Sequence, residues 1–255
     1  MGQGLQLGLT FFYANLAILF ENLWPHNVAT VFGAFPSDGK QLFLTLFLSH
    51  EKIGLHHAMN FAMEIHICHE RGDYEGARSW LEKGLALYPD NETLLNWDGI
   101  IGLELMEYEK ARACFIKLLH RDSKQPLMRP LMLNNIAYTN ALLGGDELLK
   151  EADEYSQAAM TSMSWMSAVR GTRGTVLVAM GRIEEALPML HDAMVQADSP
   201  PHKASNACMV SIAEARRGNF DVARNYLEEA RKLEPKCSLL SRAETVLREA
   251  SLPTA

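Results

Sequence analysis

Positive charge is missing from the start of this 255-residue chain. Residues 1–39 hold no Lys or Arg, and their only acids are Glu21 and Asp38. With no basic stretch before its apolar run and no small-residue cleavage site after it, this region does not read as a signal peptide. The chain as a whole is short of positive charge too, with a formal net charge of -7 and a pI near 5.7. Nucleic-acid binders draw affinity from a basic surface that displaces counterions, so that class of partner is excluded. Cysteine is sparse. Cys68, Cys114, Cys208 and Cys237 lie far apart without a CxxC pair, which excludes a disulfide scaffold and fits reduced thiols in a reducing compartment. HExxH, GxSxG, P-loop and dinucleotide-binding patterns are absent as well.

What the N-terminus does contain is apolar. Residues 4–20 form a run of 17, interrupted by Gln6, Thr10 and Asn15, at the short end of what crosses a bilayer. If the run spans, every Lys and Arg follows it, which puts the bulk of the protein in the cytoplasm. The other reading is a pair of helices packed on the rest of the protein or on a partner. From about residue 51 the sequence turns densely charged, so the expected domains are an apolar segment at 1–52 and a second domain at 53–252.

That second domain repeats itself. Gly72-Asp73-Tyr74-Glu75-Gly76-Ala77 returns as Met106-Glu107-Tyr108-Glu109-Lys110-Ala111, with the tyrosines and alanines 34 residues apart. Gly181-Arg182-Ile183-Glu184-Glu185-Ala186 and Gly218-Asn219-Phe220-Asp221-Val222-Ala223 follow. In each block a glycine, or Met106, ends one helix and allows a turn, and a polar residue caps the next. An aromatic or branched side chain then fills the hairpin, and an alanine lets two helices approach closely. Seven residues on come Gly84, Leu118, Ala193 and Ala230, and the second helix stops ahead of a proline at Pro89 and Pro235. A third repeat, at about 130–163, has a swollen turn, Leu143-Gly144-Gly145-Asp146-Glu147, that delays its alanine to Ala152.

These blocks resemble the tetratricopeptide repeat family over residues 57–236, and GDYEGARSWLEKGLALYPDN matches the second half of that repeat almost residue for residue. Gly99, Ala137, Gly174 and Ser211 supply the small residue expected in the preceding helices. The resemblance implies an all-α fold, a right-handed α-solenoid of about five helical hairpins, capped by an amphipathic helix near 239–250. It also implies a non-enzymatic adaptor that holds a peptide or protein segment in a concave groove lined by the first helix of each pair. Counting around those helices puts His66, His69, Asn96, Ile100, Asn134, Tyr138 and Thr175 on the groove. Asn side chains there both donate to and accept from a peptide backbone. The basic members of the family's carboxylate clamp are missing from the first two repeats, so a guest that presents its terminal carboxylate is disfavoured.

Histidines cluster near the boundary, and His66 and His69 share a helix face at i, i+3. His50-Glu51-Lys52-Ile53-Gly54 is nevertheless not HExxH, so no cofactor is expected from these residues. One further pattern concerns zinc. The order apolar helix, Asn22-Leu23-Trp24-Pro25, loop, Pro36-Ser37-Asp38-Gly39, apolar stretch resembles the C-terminal part of site-2-protease-type intramembrane zinc peptidases. That resemblance implies Asp38 as a zinc ligand, with the two histidine ligands and the general base lacking in this sequence, and hence no peptidase activity alone.

Overall fold

The computed structural model describes residues 2–24, 27–30, 33–36, 40, 50–122 and 127–252. They form two compact units, residues 1–57 and 58–255.

In the first unit, helix α1 runs over Gly2–Leu23. Neither it nor any other described helix is long and apolar enough to cross a membrane. Gln3, Gln6, Thr10, Asn15 and Glu21 dilute its hydropathy, and the sequence expectation of a bilayer span is not met. Its side chains still present apolar surface to solvent, Phe12, Leu16, Leu19 and Phe20 among them. After α1 the structure departs from the loop expected there. Strands β1 (Asn27–Thr30) and β2 (Gly33–Pro36) pair antiparallel, with Asn27 opposite Pro36 and Thr30 opposite Gly33. Val28 and Thr30 are β-branched and suit a pleated ribbon, but four residues are too few for alternation to be read from sequence. Asp38 and its neighbours lie outside the described residues.

The repeats pair as α2 (His50–Glu70) with α3 (Tyr74–Leu87), α4 (Glu92–Glu104) with α5 (Tyr108–Leu119), and α6 (Met128–Leu143) with α7 (Asp146–Met163). Two more pairs follow, α8 (Ser167–Ala179) with α9 (Ile183–Gln196) and α10 (Pro200–Arg216) with α11 (Phe220–Leu233), and α12 (Leu240–Ala250) caps the stack. This is an α-solenoid of five hairpins. Ala77, Ala111, Ala152, Ala186 and Ala223 are all fully buried, as close helix approach requires. The hairpin turns need one residue in the left-handed region, and Gly72, Gly181 and Gly218 supply it; Met106 does so at φ 60° despite its side chain. Side-chain capping of the second helices is less regular than the sequence suggests. Asp73 accepts from the Gly76 amide at 3.0 Å, whereas Glu107 pairs with Arg78 at 2.8 Å and Asn219 donates to Glu214 at 2.7 Å. Glu107 is drawn to Arg78 of the preceding hairpin and Asn219 to Glu214 across its own turn, so neither is free to cap its helix. Helices α3 and α11 stop two residues before Pro89 and Pro235, with Tyr88 and Glu234 turned toward extended backbone.

The stack bends back on itself. Ser238 Oγ donates to Glu104 Oε2 at 3.3 Å across 134 residues of sequence. Arg242 Nη1 donates to the Leu142 carbonyl at 2.8 Å. The Glu234 carboxylate lies so close to the first hairpin turn that a Cβ on Gly72 would stand 3.2 Å from it. The last hairpin and the cap thus meet the first three, and together they border the space between the first helices.

Candidate functional site

That space is a pocket of about 330 Å³. All five first helices contribute to it: His66 and His69 from α2, Trp97, Ile100 and Glu104 from α4, Asn134, Asn135 and Tyr138 from α6, Gly171 from α8, and His202 and Asn206 from α10. Ser238, just before α12, closes one side. Trp97 is the hub of an aromatic cluster, with its ring centroid 5.9 Å from His66 and 5.5 Å from His69.

Two buried polar atoms in this lining have no hydrogen-bond partner among the described residues, His69 Nδ1 and Asn134 Oδ1. A native protein rarely leaves such atoms unpaired without cause, because the lost hydration is not recovered. His69 Nε2 faces Glu104 Oε1 at 3.4 Å, and its Nδ1 stands 3.8 Å from Glu70 Oε1, beyond hydrogen-bond range. Burial, reinforced by the Glu104 charge, pushes the Tyr138 phenol well above its usual value, so it stays protonated and able to donate.

His202 is exposed, but desolvation by the residues around it lowers its pKa, helped by the nearby His69 and opposed by Glu70, Glu104 and Asp198. A histidine with a depressed folded-state pKa takes up its proton more readily when unfolded. Its contribution to stability is complete above the ordinary histidine range and is lost as pH falls through the folded value. Urea unfolding at pH 7.5 and pH 5.5 should therefore give a smaller pH-induced loss for His202→Gln than for the unaltered protein.

Five helical hairpins in register, each with its buried alanine, and a capping helix make a specific architecture. A thermophilic tetratricopeptide repeat protein of Thermus thermophilus matches it with a TM-score of 0.55 at 19% identity, over 75% of this chain and 99% of that one. A tetratricopeptide repeat protein from Parabacteroides merdae matches with a TM-score of 0.52 at 13% identity, over 74% of this chain and 70% of that one. The fold is that of the tetratricopeptide repeat. No family model matches the sequence, and no curated protein matches it either.

Within this tetratricopeptide fold, the residues expected on the groove divide. His66, His69, Ile100, Asn134 and Tyr138 come together in the pocket. Asn96 does not line it; its Oδ1 accepts from Asn135 Nδ2 at 3.4 Å, which engages its side chain with α6 instead. Thr175 is also elsewhere. It is buried, and its hydroxyl donates to the Gly171 carbonyl at 2.9 Å along α8, a helix packed on nearly all sides. The lining residues that sequence reasoning missed include Glu70, Trp97, Glu104, Asn135, Ala168, His202, Asn206 and Ser238. Glu104 is one helical turn on from Ile100, so extending the inward face of α4 would have reached it. His202 and Asn206 share a face of α10 roughly opposite Cys208, which is buried in the core.

The peptidase resemblance gains nothing from these likenesses. Among the described residues, no three His, Cys, Asp or Glu side chains are grouped to hold a metal ion.

Proposed function

We propose that residues 58–255 are a protein-interaction module that binds a short segment of a partner protein in the pocket. The observation that carries this reading is the unpaired Asn134 Oδ1, buried in a lining drawn from all five first helices. A guest segment supplies the missing hydrogen-bond partner there, and Ile100, Trp97 and Leu142 provide apolar walls. The reading is one of binding without catalysis. The exposed apolar side chains of α1 support a second, peripheral contact of residues 4–20 with a membrane surface.

The test fills the pocket without removing any of its polar groups. Ala168 lines it from α8 and is partly exposed. Peptides selected on the full-length protein from a displayed random library should lose binding to Ala168→Phe, with the melting temperature unchanged. Peptides that bind the variant equally well would move the binding site elsewhere.

A further inference from the structure

We propose that the bound segment anchors itself in the pocket with a basic side chain, arginine above all, held by Glu104 and Asn134. This rests on the pocket being the binding site. The inventory of its walls is one-sided. Glu70 and Glu104 are acids, and none of the described lining residues is Lys or Arg. Asn134 is 5% exposed, and its amide nitrogen is already engaged with Asn135 Oδ1 at 3.2 Å. Its Oδ1 is the atom left with no partner among the described residues, so an acceptor is what it has to offer a guest.

Glu104 offers more of the same. Its oxygens meet His69 Nε2 at 3.4 Å and Ser238 Oγ at 3.3 Å, both near the outer limit of hydrogen bonding. A carboxylate has about four lone-pair sites, so Glu104 has room for a shorter, charge-assisted bond. His202 is exposed, yet desolvation by the surrounding residues keeps it below its usual pKa, so it sets no positive charge against an incoming cation at neutral pH.

A guanidinium is the chemical complement of this set. It carries five donors and no acceptor, it is always charged, and its planar fork pairs with a carboxylate in two parallel bonds. Its alkyl stem suits the apolar wall at Ile100, and the Trp97 ring in the same lining is an aromatic partner that a cation can use. A guest carboxylate would meet two like charges and a second acceptor, which the same inventory rejects.

The experiment uses the full-length protein and the library-selected peptides. Enriched sequences should share an Arg or Lys at one position. Replacing that arginine with citrulline, which keeps the shape and removes the charge, should weaken binding about tenfold or more, and Glu104→Gln should do the same to the parent peptide. The citrulline comparison uses the unaltered protein, so it decides the matter even if Glu104→Gln fails to fold. Enriched peptides that lack a basic residue yet are blocked by Ala168→Phe would overturn the basic anchor and leave the binding site standing. Peptides indifferent to Ala168→Phe would overturn both. N-acetyl-arginine methylamide alone should bind far more weakly than the peptides. Equal affinity would make the guest a small free cation and overturn the protein segment.

Discussion

Phe115→Ala should destabilise the repeat unit by about 3–5 kcal/mol in urea unfolding, and Gly99→Ala by about 1–3 kcal/mol. The two residues are a matched pair. Phe115 is fully buried on α5 and packs with Leu95, Met132 and Ile136. Its ring lies so close to α4 that a Cβ on Gly99 would stand 2.4 Å from Cε1, far inside van der Waals contact. Truncating the ring leaves a cavity between the second and third hairpins, and adding the methyl forces the ring out of a position it cannot leave freely. Combined, the changes relieve one another, since the new methyl enters space the ring has vacated. The double variant should be more stable than the sum of the singles predicts, by about 1 kcal/mol or more. Strict additivity would show that Gly99 is required for the helix backbone and not for the ring.

The second large effect concerns a buried charge. The Arg173 side chain is 7% exposed, and its Nη1 lies 2.5 Å from Asp153 Oδ1 and 2.9 Å from Ser156 Oγ. Asp153→Ala leaves that guanidinium buried without its counter-ion and should cost about 3 kcal/mol, the low end for such a break because Asp153 itself is 34% exposed. Arg173→Met removes the charge and keeps the bulk, so it should cost far less, and Asp153→Ala on that background should be nearly silent. Denaturant titrations of the three variants measure this. Equal losses for the two single substitutions would assign the stability to the attraction between the charges and not to the cost of stranding one of them.

Surface ion pairs add a smaller, pH-dependent share. Burial raises the Glu151 carboxyl, but hydrogen bonds from Arg112 and Asn140 outweigh it and hold the pKa below the usual carboxylate range. A depressed acid contributes its stability above the ordinary glutamate value and loses it as pH falls through the folded one, so this contribution disappears in acid and not near neutrality.

The hairpins were legible because their determinants are local. A left-handed turn residue, an alanine a few positions after the turn and a proline beyond the second helix all sit within one repeat of one another. Met106 could be matched to the turn glycines from its spacing alone, and its φ of 60° bears that out. The pocket was legible in part for the same reason: His66, His69, Ile100, Asn134 and Tyr138 follow from counting around each helix. The rest depends on distance in sequence. Nothing near Glu104 announces that Ser238 will bond to it, and neither Asn96 nor Thr175 betrays the partner that engages it, the Asn135 amide in one case and the backbone of Gly171 in the other. The paired strands at 27–30 and 33–36 escaped because two four-residue strands carry too little pattern to stand out from a loop.

A stack of helical hairpins is ordinarily an open row, in which each unit touches only its neighbours and units can be added or removed at either end. The bonds from Ser238 to Glu104 and from Arg242 to Leu142 turn this row into a clasp. Its repeat number is fixed by geometry: a sixth hairpin inserted midway would carry the last turns past their partners and break both bonds. Stability here is shared around a loop and not passed along a line, so loss of either end is felt at the other.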